Sequence, residues 1–373
     1  MSRRVRYEGT ERSNNRLKCS NQKGRPLVVL AGTTPTDPHH RNYFDDITDF
    51  QIDFAEGVLG RDNVVVMCDA EFADQFHRHL PPDVVLEEPM NDIWIRDYAP
   101  MRLNQPVFAE FRPSYLKKTT AQWIQSALRK FLKRHAGANG YKNGLLPREC
   151  DLIIEGGNVI DNFVDKAIIC DSIVESNRPM SESQVLGRLR DALGLSQIAV
   201  VPNVGSSRGN HADDLVTFID TNVIAISGSW GRKAVDETTD ALRLAFGDKV
   251  RIVVLDSVHK PEVWRGFESS TGLHINLTTT YDYLYVPVFG HDPESVALGQ
   301  SESRDEAVLD QILANTSKTV VPIEVDHKIG RMGGSLRCLS WTVAGPMADL
   351  IVDVARKERR YNDMPEALGG GID

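Results

Sequence analysis

Short apolar runs alternate with stretches of helical spacing along most of the chain. Leu27-Val28-Val29-Leu30-Ala31-Gly32 is an unbroken apolar run closed by glycine, the pattern of a buried strand. Phe44, Ile47, Phe50, Phe54 and Val58 then fall on one face of a helix, with Gly60 placed to cap its end. Val64-Val65-Val66-Met67 predicts the next strand, residues 71–80 a weaker helix, and Val84-Val85-Leu86 a third strand. Strand, helix, strand, helix, strand is the order of an α/β protein.

Beyond residue 86 the alternation becomes a repeat. Hairpin-like pairs are predicted at 99–103 with 107–111, 158–161 with 167–170, 215–219 with 223–226, and 275–279 with 284–288. A fifth opens at 335–343. Helical stretches at 120–135, 181–193, 235–246 and 303–314 each lead to a further strand, at 152–154, 198–201, 251–255 and 320–325. The hairpin starts recur about every 60 residues, a fixed spacing expected of radially repeated units that bury their faces on one another. The same corner of each unit then points at one axis. The chemically distinctive residues at those corners are Asp97, Glu155, His211 with Asp213, and Cys338. The alternative is an ordinary doubly wound sheet whose strands are evenly spaced.

Composition narrows the class. Hydrophobic residues make up 41% and charged residues 25%, ordinary for a globular protein, and the formal net charge of −9 argues against nucleic acid as a partner. No apolar run reaches the ~18 residues of a membrane span. The five cysteines are scattered, with no C-x-x-C pair, which argues against a disulfide framework or a zinc site and for a reducing, cytoplasmic setting. Cys68 and Cys170 end apolar runs and read as buried hydrophobes. The Arg-rich start lacks the apolar core of a secretory signal, and Glu8 and Glu11 count against a transit peptide. Residues 1–25 are therefore expected to be a disordered tail, 26–365 one domain, and 366–373 a flexible end. Either a monomer or a homodimer fits.

Taken singly, Asp97 is a turn residue or a salt-bridge partner of Arg96, Glu155-Gly156-Gly157 a strand-ending turn, His211 a surface or core histidine, and Cys338 a core side chain. Taken together they form a site for a planar cation with a nucleophile and a proton carrier. His39-His40 has no companion at metal-ligand spacing, and Gly205-Ser206-Ser207-Arg208-Gly209 lacks the lysine of a phosphate loop. The latter reads as the loop that delivers His211.

At these residues the chain resembles the guanidine-modifying superfamily, within it the agmatine deiminase and Porphyromonas-type peptidylarginine deiminase family. The likeness rests on Asn91-Asp92-Ile93-Trp94-Ile95-Arg96-Asp97-Tyr98-Ala99-Pro100, Glu155-Gly156-Gly157-Asn158, His211-Ala212-Asp213-Asp214 and Gly333-Gly334-Ser335-Leu336-Arg337-Cys338. It covers the chain from about residue 26 onward and implies the family's five-bladed, pseudo-symmetric α/β propeller, in agreement with the repeat. It further implies deimination of a guanidinium through a covalent thiouronium, without metal or organic cofactor. Cys338 is the candidate nucleophile, His211 the proton carrier and Glu155 its orienting carboxylate. Asp97 and Asp213 are the candidate guanidinium clamps. Trp94 is placed to pack over the substrate, and Asn276 to line its path.

Arg337 and Ser335 stand where the family carries His and Gly, so the loops that choose the substrate tail are this chain's own. Agmatine, giving N-carbamoylputrescine and ammonia, is the first substrate expected; free or peptidyl arginine, giving citrulline, is the second. An amidinotransferase and a catalytically silent guanidine-binding protein are the remaining readings. Arginine differs from agmatine by a carboxylate, so a site for it calls for an Arg near the entrance, and Arg208, Arg265 and Arg337 are the candidates.

Overall fold

The computed structural model describes residues 21–362 except 36, 38, 139–145, 205–210, 261 and 291–303. Most of the predicted N-terminal tail, the C-terminal end, the loop at 205–209 with Arg208, and Cys19 lie outside the described residues.

The alternating pattern produces a mixed α/β fold in which one unit recurs. An antiparallel pair is followed by a helix and a third strand parallel to the second. Val159–Asp161, Lys166–Cys170 and Gln197–Val201 form one such sheet around the helix Glu182–Leu193. Val216–Asp220, Val223–Ser227 and Arg251–Leu255 form another around Gly231–Phe246. Thr278–Thr279, Tyr283–Val288 and Thr319–Glu324 repeat it around Asp305–Leu313. In the unit containing Val107–Glu110 and Arg148–Ile153, the antiparallel partner is reduced to a single bridge at Met101.

The remaining large sheet joins the two ends of the sequence. Leu27–Ala31 pairs parallel with Asn63–Met67 and antiparallel with Ser340–Val343, Leu27 facing Val343. Its strands are apolar throughout because both faces are covered. Val29, Ala31 and Val65 enter one core with the helices Lys118–Ala138 and Pro346–Asn362, while Val28, Leu30 and Val64 enter another with Phe44–Val58. The crossover helices follow local rules. In Glu182–Leu193, Val185, Leu189 and Leu193 fall four apart on the buried face. Ser181 and Gln184 make a reciprocal capping box, and Gly194 ends the helix at φ 65°.

Several expectations need correction. The predicted fifth hairpin at 335–343 is not one: residues 336–339 are a turn, the strand begins only at Ser340, and its partner is Leu27–Ala31. The Asp97 turn is a short helix, Ile95–Tyr98, and the weaker helix at 71–80 shrinks to Ala73–His77. The helix Pro346–Asn362 has no counterpart in the sequence reading. Among the described residues no helix is long and apolar enough to cross a membrane. Cys68, Cys150, Cys170 and Cys338 are all buried, and burial pushes the Cys170 thiol up to about 12.

Candidate active site

Each distinctive residue sits at the entrance to the first strand of a unit. Asp97 lies on the short helix Ile95–Tyr98; Glu155 precedes the 3-10 turn Gly156–Asn158, and His211 the 3-10 turn Ala212–Asp214. Cys338 precedes Ser340–Val343, and Asn276 precedes Thr278–Thr279. Equivalent corners of separate units thus deliver side chains up to 241 positions apart in the numbering, Asp97 to Cys338, to one cavity of about 370 Å³.

At the buried end of that cavity lie Asp97, His211 and Cys338. The imidazole is held between two carboxylates: Nε2 is 3.1 Å from Glu155 Oε2 and Nδ1 is 3.5 Å from Asp97 Oδ1. Gly157 closes this cluster. Its N–H donates to Asp97 Oδ1 at 3.1 Å, and a Cβ there would lie 2.5 Å from His211 Nδ1. Burial works against a charge on His211, but Asp97 and Glu155 outweigh it and hold the imidazole pKa well above its ordinary value. Asp97 itself is pushed up to about 7, first by burial and then by Glu155 and Asp213, with His211 pulling the other way. Of the pair, the imidazole is the better proton holder, since two carboxylates face it.

The thiol is gripped by Asn276. The Asn276 side-chain oxygen accepts from the N–H groups of Arg337 and Cys338 at 3.2 and 3.3 Å, which fixes which end of the amide is which. The amide NH₂ therefore donates, to Cys338 Sγ at 3.1 Å and to Asp214 Oδ1 at 3.2 Å. Burial, together with Asp213, Asp214 and Asp97, holds the thiol pKa well above its ordinary value. Asp214 is likewise raised, to about 8, by burial and by Asp213.

Not every candidate reaches the cavity wall. Asp97, His211, Cys338 and Trp94 line it; Glu155, Asp213 and Asn276 stand behind it. Asp213 is fully buried, with Oδ2 3.3 Å from Arg337 Nε and 4.0 Å from Cys338 Sγ, while its Oδ1 has no hydrogen-bond partner among the described residues. Of the three candidate entrance arginines, Arg337 turns inward and Arg208 lies outside the described residues, whereas Arg265 lines the cavity.

The sequence reading missed much of the wall. Tyr115, Trp264 and Phe267 come from segments without periodicity or motif, so nothing in the sequence marked them. Asp92 lay within the quoted Asn91-to-Pro100 stretch and is the one with a signal. His39 and His40 also line the cavity; His40 Nδ1 is 3.0 Å from Asp37 and its ring stacks on Trp264. Trp264, Arg265 and Phe267 belong to one two-stranded ribbon, turned at Arg265 and Gly266 with φ of 51° and 92°. The Arg265 guanidinium lies 4.7 Å from the Trp264 ring and donates to the His39 carbonyl. Among the described residues, two groups bring potential metal-ligating atoms within 4.8 Å of one another: Asp97, Glu155 and His211, and Asp213, Asp214 and Cys338. In the first the imidazole already engages both carboxylates, an arrangement suited to holding a proton.

Among curated proteins no sequence matches the chain. Solved structures do. The chain superposes on C. jejuni agmatine deiminase with a TM-score of 0.66 at 17% identity, covering 88% of this chain and 94% of that one. An agmatine deiminase of Enterococcus faecalis gives 0.61 at 15% identity, covering 87% and 95%. These likenesses establish the mixed α/β fold of the deiminase structures. A match to the family described as Porphyromonas-type peptidyl-arginine deiminase runs over residues 28–343. The chain belongs to that family, whose enzymes are hydrolases acting on the carbon–nitrogen bonds of linear amidines.

Proposed function

We propose that the protein deiminates a small guanidinium compound through a covalent intermediate on Cys338. The observation that carries this reading is the imidazole of His211, clamped between Asp97 and Glu155 and opening on the same cavity as the Cys338 thiol.

A guanidinium entering the buried end meets the Asp97 carboxylate, with Asp213 behind it offering an unpartnered oxygen. Burial first, and the carboxylates next, hold the thiol neutral; the positive charge of the guanidinium opposes the carboxylates, so Cys338 gives up its proton to solvent as the substrate binds. The thiolate attacks the central carbon, and the carbon–nitrogen π pair moves onto nitrogen. His211 gives its proton to the leaving nitrogen; the carbon–nitrogen bond breaks, ammonia departs and a thiouronium remains. Water then adds as His211 takes its proton. The adduct's hydroxyl gives up its proton to solvent as the carbon–oxygen double bond forms and the carbon–sulfur bond breaks, and a neutral carbamoyl product leaves with the thiolate restored. Glu155 keeps the imidazole in line.

Agmatine is the proposed substrate: a flexible cation suits walls of Trp94, Tyr115, Trp264 and Phe267 with Asp92 among them. The exposed Arg265 favours a second reading, free arginine, whose carboxylate it can pair with. We read the recurring units as five blades of an α/β propeller in one domain over residues 26–365, since the order antiparallel strand, helix, parallel strand recurs from unit to unit.

The test is ammonia release from agmatine, free arginine and an internal peptidyl arginine, with Cys338→Ala alongside. Turnover of one of the small substrates, reduced at least about a thousandfold in the variant, is the expected result. Activity that survives Cys338→Ala sinks the mechanism.

A further inference from the structure

Behind the site described above, a second cavity, of about 10 Å³, is lined by Arg96, Arg102 and Arg337 together with Asp161 and Thr342. The three arginine residues are each only 7% exposed. Arg96 and Arg337 are the chain neighbours of Asp97 and Cys338, and Asp213 Oδ2 links the wall to the site, 3.3 Å from Arg337 Nε and 4.0 Å from Cys338 Sγ.

The cavity lining holds three arginines and one carboxylate. Arg102 Nε is 3.3 Å from Asp161, and Arg337 Nε is 3.3 Å from Asp213. Arg96 has no carboxylate within ion-pair distance among the described residues; its Nη2 donates only to the Thr342 hydroxyl at 3.3 Å. Arg96 Nε and Arg102 Nη1 are buried and have no acceptor among the described residues. Burial, and next the Arg337 charge, push the Arg96 guanidinium down to about 9. Buried donors of this kind require a partner, and buried like charges require a counter-charge. Asp161 is the one carboxylate of this wall, its Oδ2 without a hydrogen-bond donor among the described residues, and Asp213 and Asp97 act on Arg96 from outside it, which leaves the lining itself with three cations against one carboxylate.

We propose that this cavity binds a single monovalent inorganic anion of the halide class, chloride being the plain case, held by Arg96, Arg102 and Arg337. A volume of about 10 Å³ is at the lower bound for a single water, so a halide seats only as the arginine side chains draw back slightly, and phosphate, sulfate or a carboxylate ligand is too large. A bound water can accept from these donors but does not offset their charge; an anion does both. The anion relieves the repulsion between Arg96 and Arg337 and so steadies Arg337 on Asp213, one bond network away from Cys338.

The test uses the full chain. Heat-unfolding midpoints are measured in sodium chloride and in sodium gluconate at equal ionic strength, and crystals are soaked in bromide. The expected results are a midpoint about 2–4 °C higher in chloride, saturating with concentration, and an anomalous bromide peak between Arg96, Arg102 and Arg337. Arg96→Met keeps the side-chain stem and orphans no carboxylate, and the chloride-dependent rise should vanish in it. A rise that persists in Arg96→Met overturns the proposal. So does the absence of bromide from the cavity, whatever the midpoints do, and this reading of the unaltered protein stands even where the variant does not fold. None of these readouts involves turnover, so the anion site and the guanidine chemistry stand or fall separately.

Discussion

The amide of Asn276 has one end committed to backbone donors of the 336–339 turn and the other to the sulfur of Cys338. Asn276→Asp preserves the accepting oxygen and replaces the donor to sulfur with another acceptor. The expected outcome is alkylation of Cys338 by a neutral reagent displaced to higher pH, with turnover down at least about tenfold and an unchanged circular dichroism spectrum. An unshifted alkylation profile would show that the amide does not act on the thiol. Asp214 makes a prediction about stability. Its folded pKa, about 8, lies above the ordinary carboxylate value of 3.8, so the folded state holds this proton more tightly than the unfolded chain. That contribution is fully present below pH 3.8 and is lost as pH rises through about 8. Asp214→Asn cannot titrate, so its melting temperature relative to the unaltered protein should climb across that window; a constant difference counts against the raised pKa. The adjacency of Asp213 and Asp214 was visible in the sequence, but a carboxylate pair shows nothing of its burial until the fold encloses it.

The Gly156–Asn158 turn, one of the short elements that enter the strands, carries a close approach that only glycine permits. Gly157→Ala should cost at least about a hundredfold in turnover by pushing His211 and Asp97 apart, with little loss of thermal stability because the strand behind it is untouched. Steady-state kinetics beside a melting curve separates the two effects. Strands such as Leu27–Ala31 and Arg251–Leu255 were legible because an unbroken apolar run has few other uses. The segment around Cys338 was not. Leu336, Leu339 and Trp341 are all apolar and buried, so a turn packed in the core carries the same letters as a strand. What makes it a turn is the Asn276 amide, a partner 62 positions away that no local pattern reveals. The helix Pro346–Asn362 escaped for a different reason. Met347, Leu350, Ile351 and Val354 keep helical spacing, but the Gly345-Pro346 pair before them has the look of a terminator, although proline in a first helical turn is well tolerated.

Across the whole molecule, the candidate site is the product of the repeat: separate units deliver Asp97, Glu155, His211 and Cys338 to one place, and that convergence could be inferred from spacing alone. The aromatic wall could not, because Tyr115 and the ribbon of Trp264 and Phe267 belong to no repeated position. The helix Pro346–Asn362 covers the sheet that joins the chain's two ends, with Leu350 and Ile351 fully buried. Leu350→Ala should therefore destabilise by about 2–5 kcal/mol, read as a lower denaturation midpoint, while the rate per folded molecule stays the same. A proportional loss of specific activity would place that helix in the chemistry as well as in the core.

The pairing of Leu27–Ala31 with Ser340–Val343 also sets a timetable. A ribosome makes the first strand early and its antiparallel partner more than 300 residues later, with the thiol-bearing turn just ahead of that partner. A nascent chain stalled between Asp213 and Cys338 carries the carboxylates and the imidazole but nothing to attack with. Synthesis therefore withholds the nucleophile until nearly all of the fold that must contain it has been made.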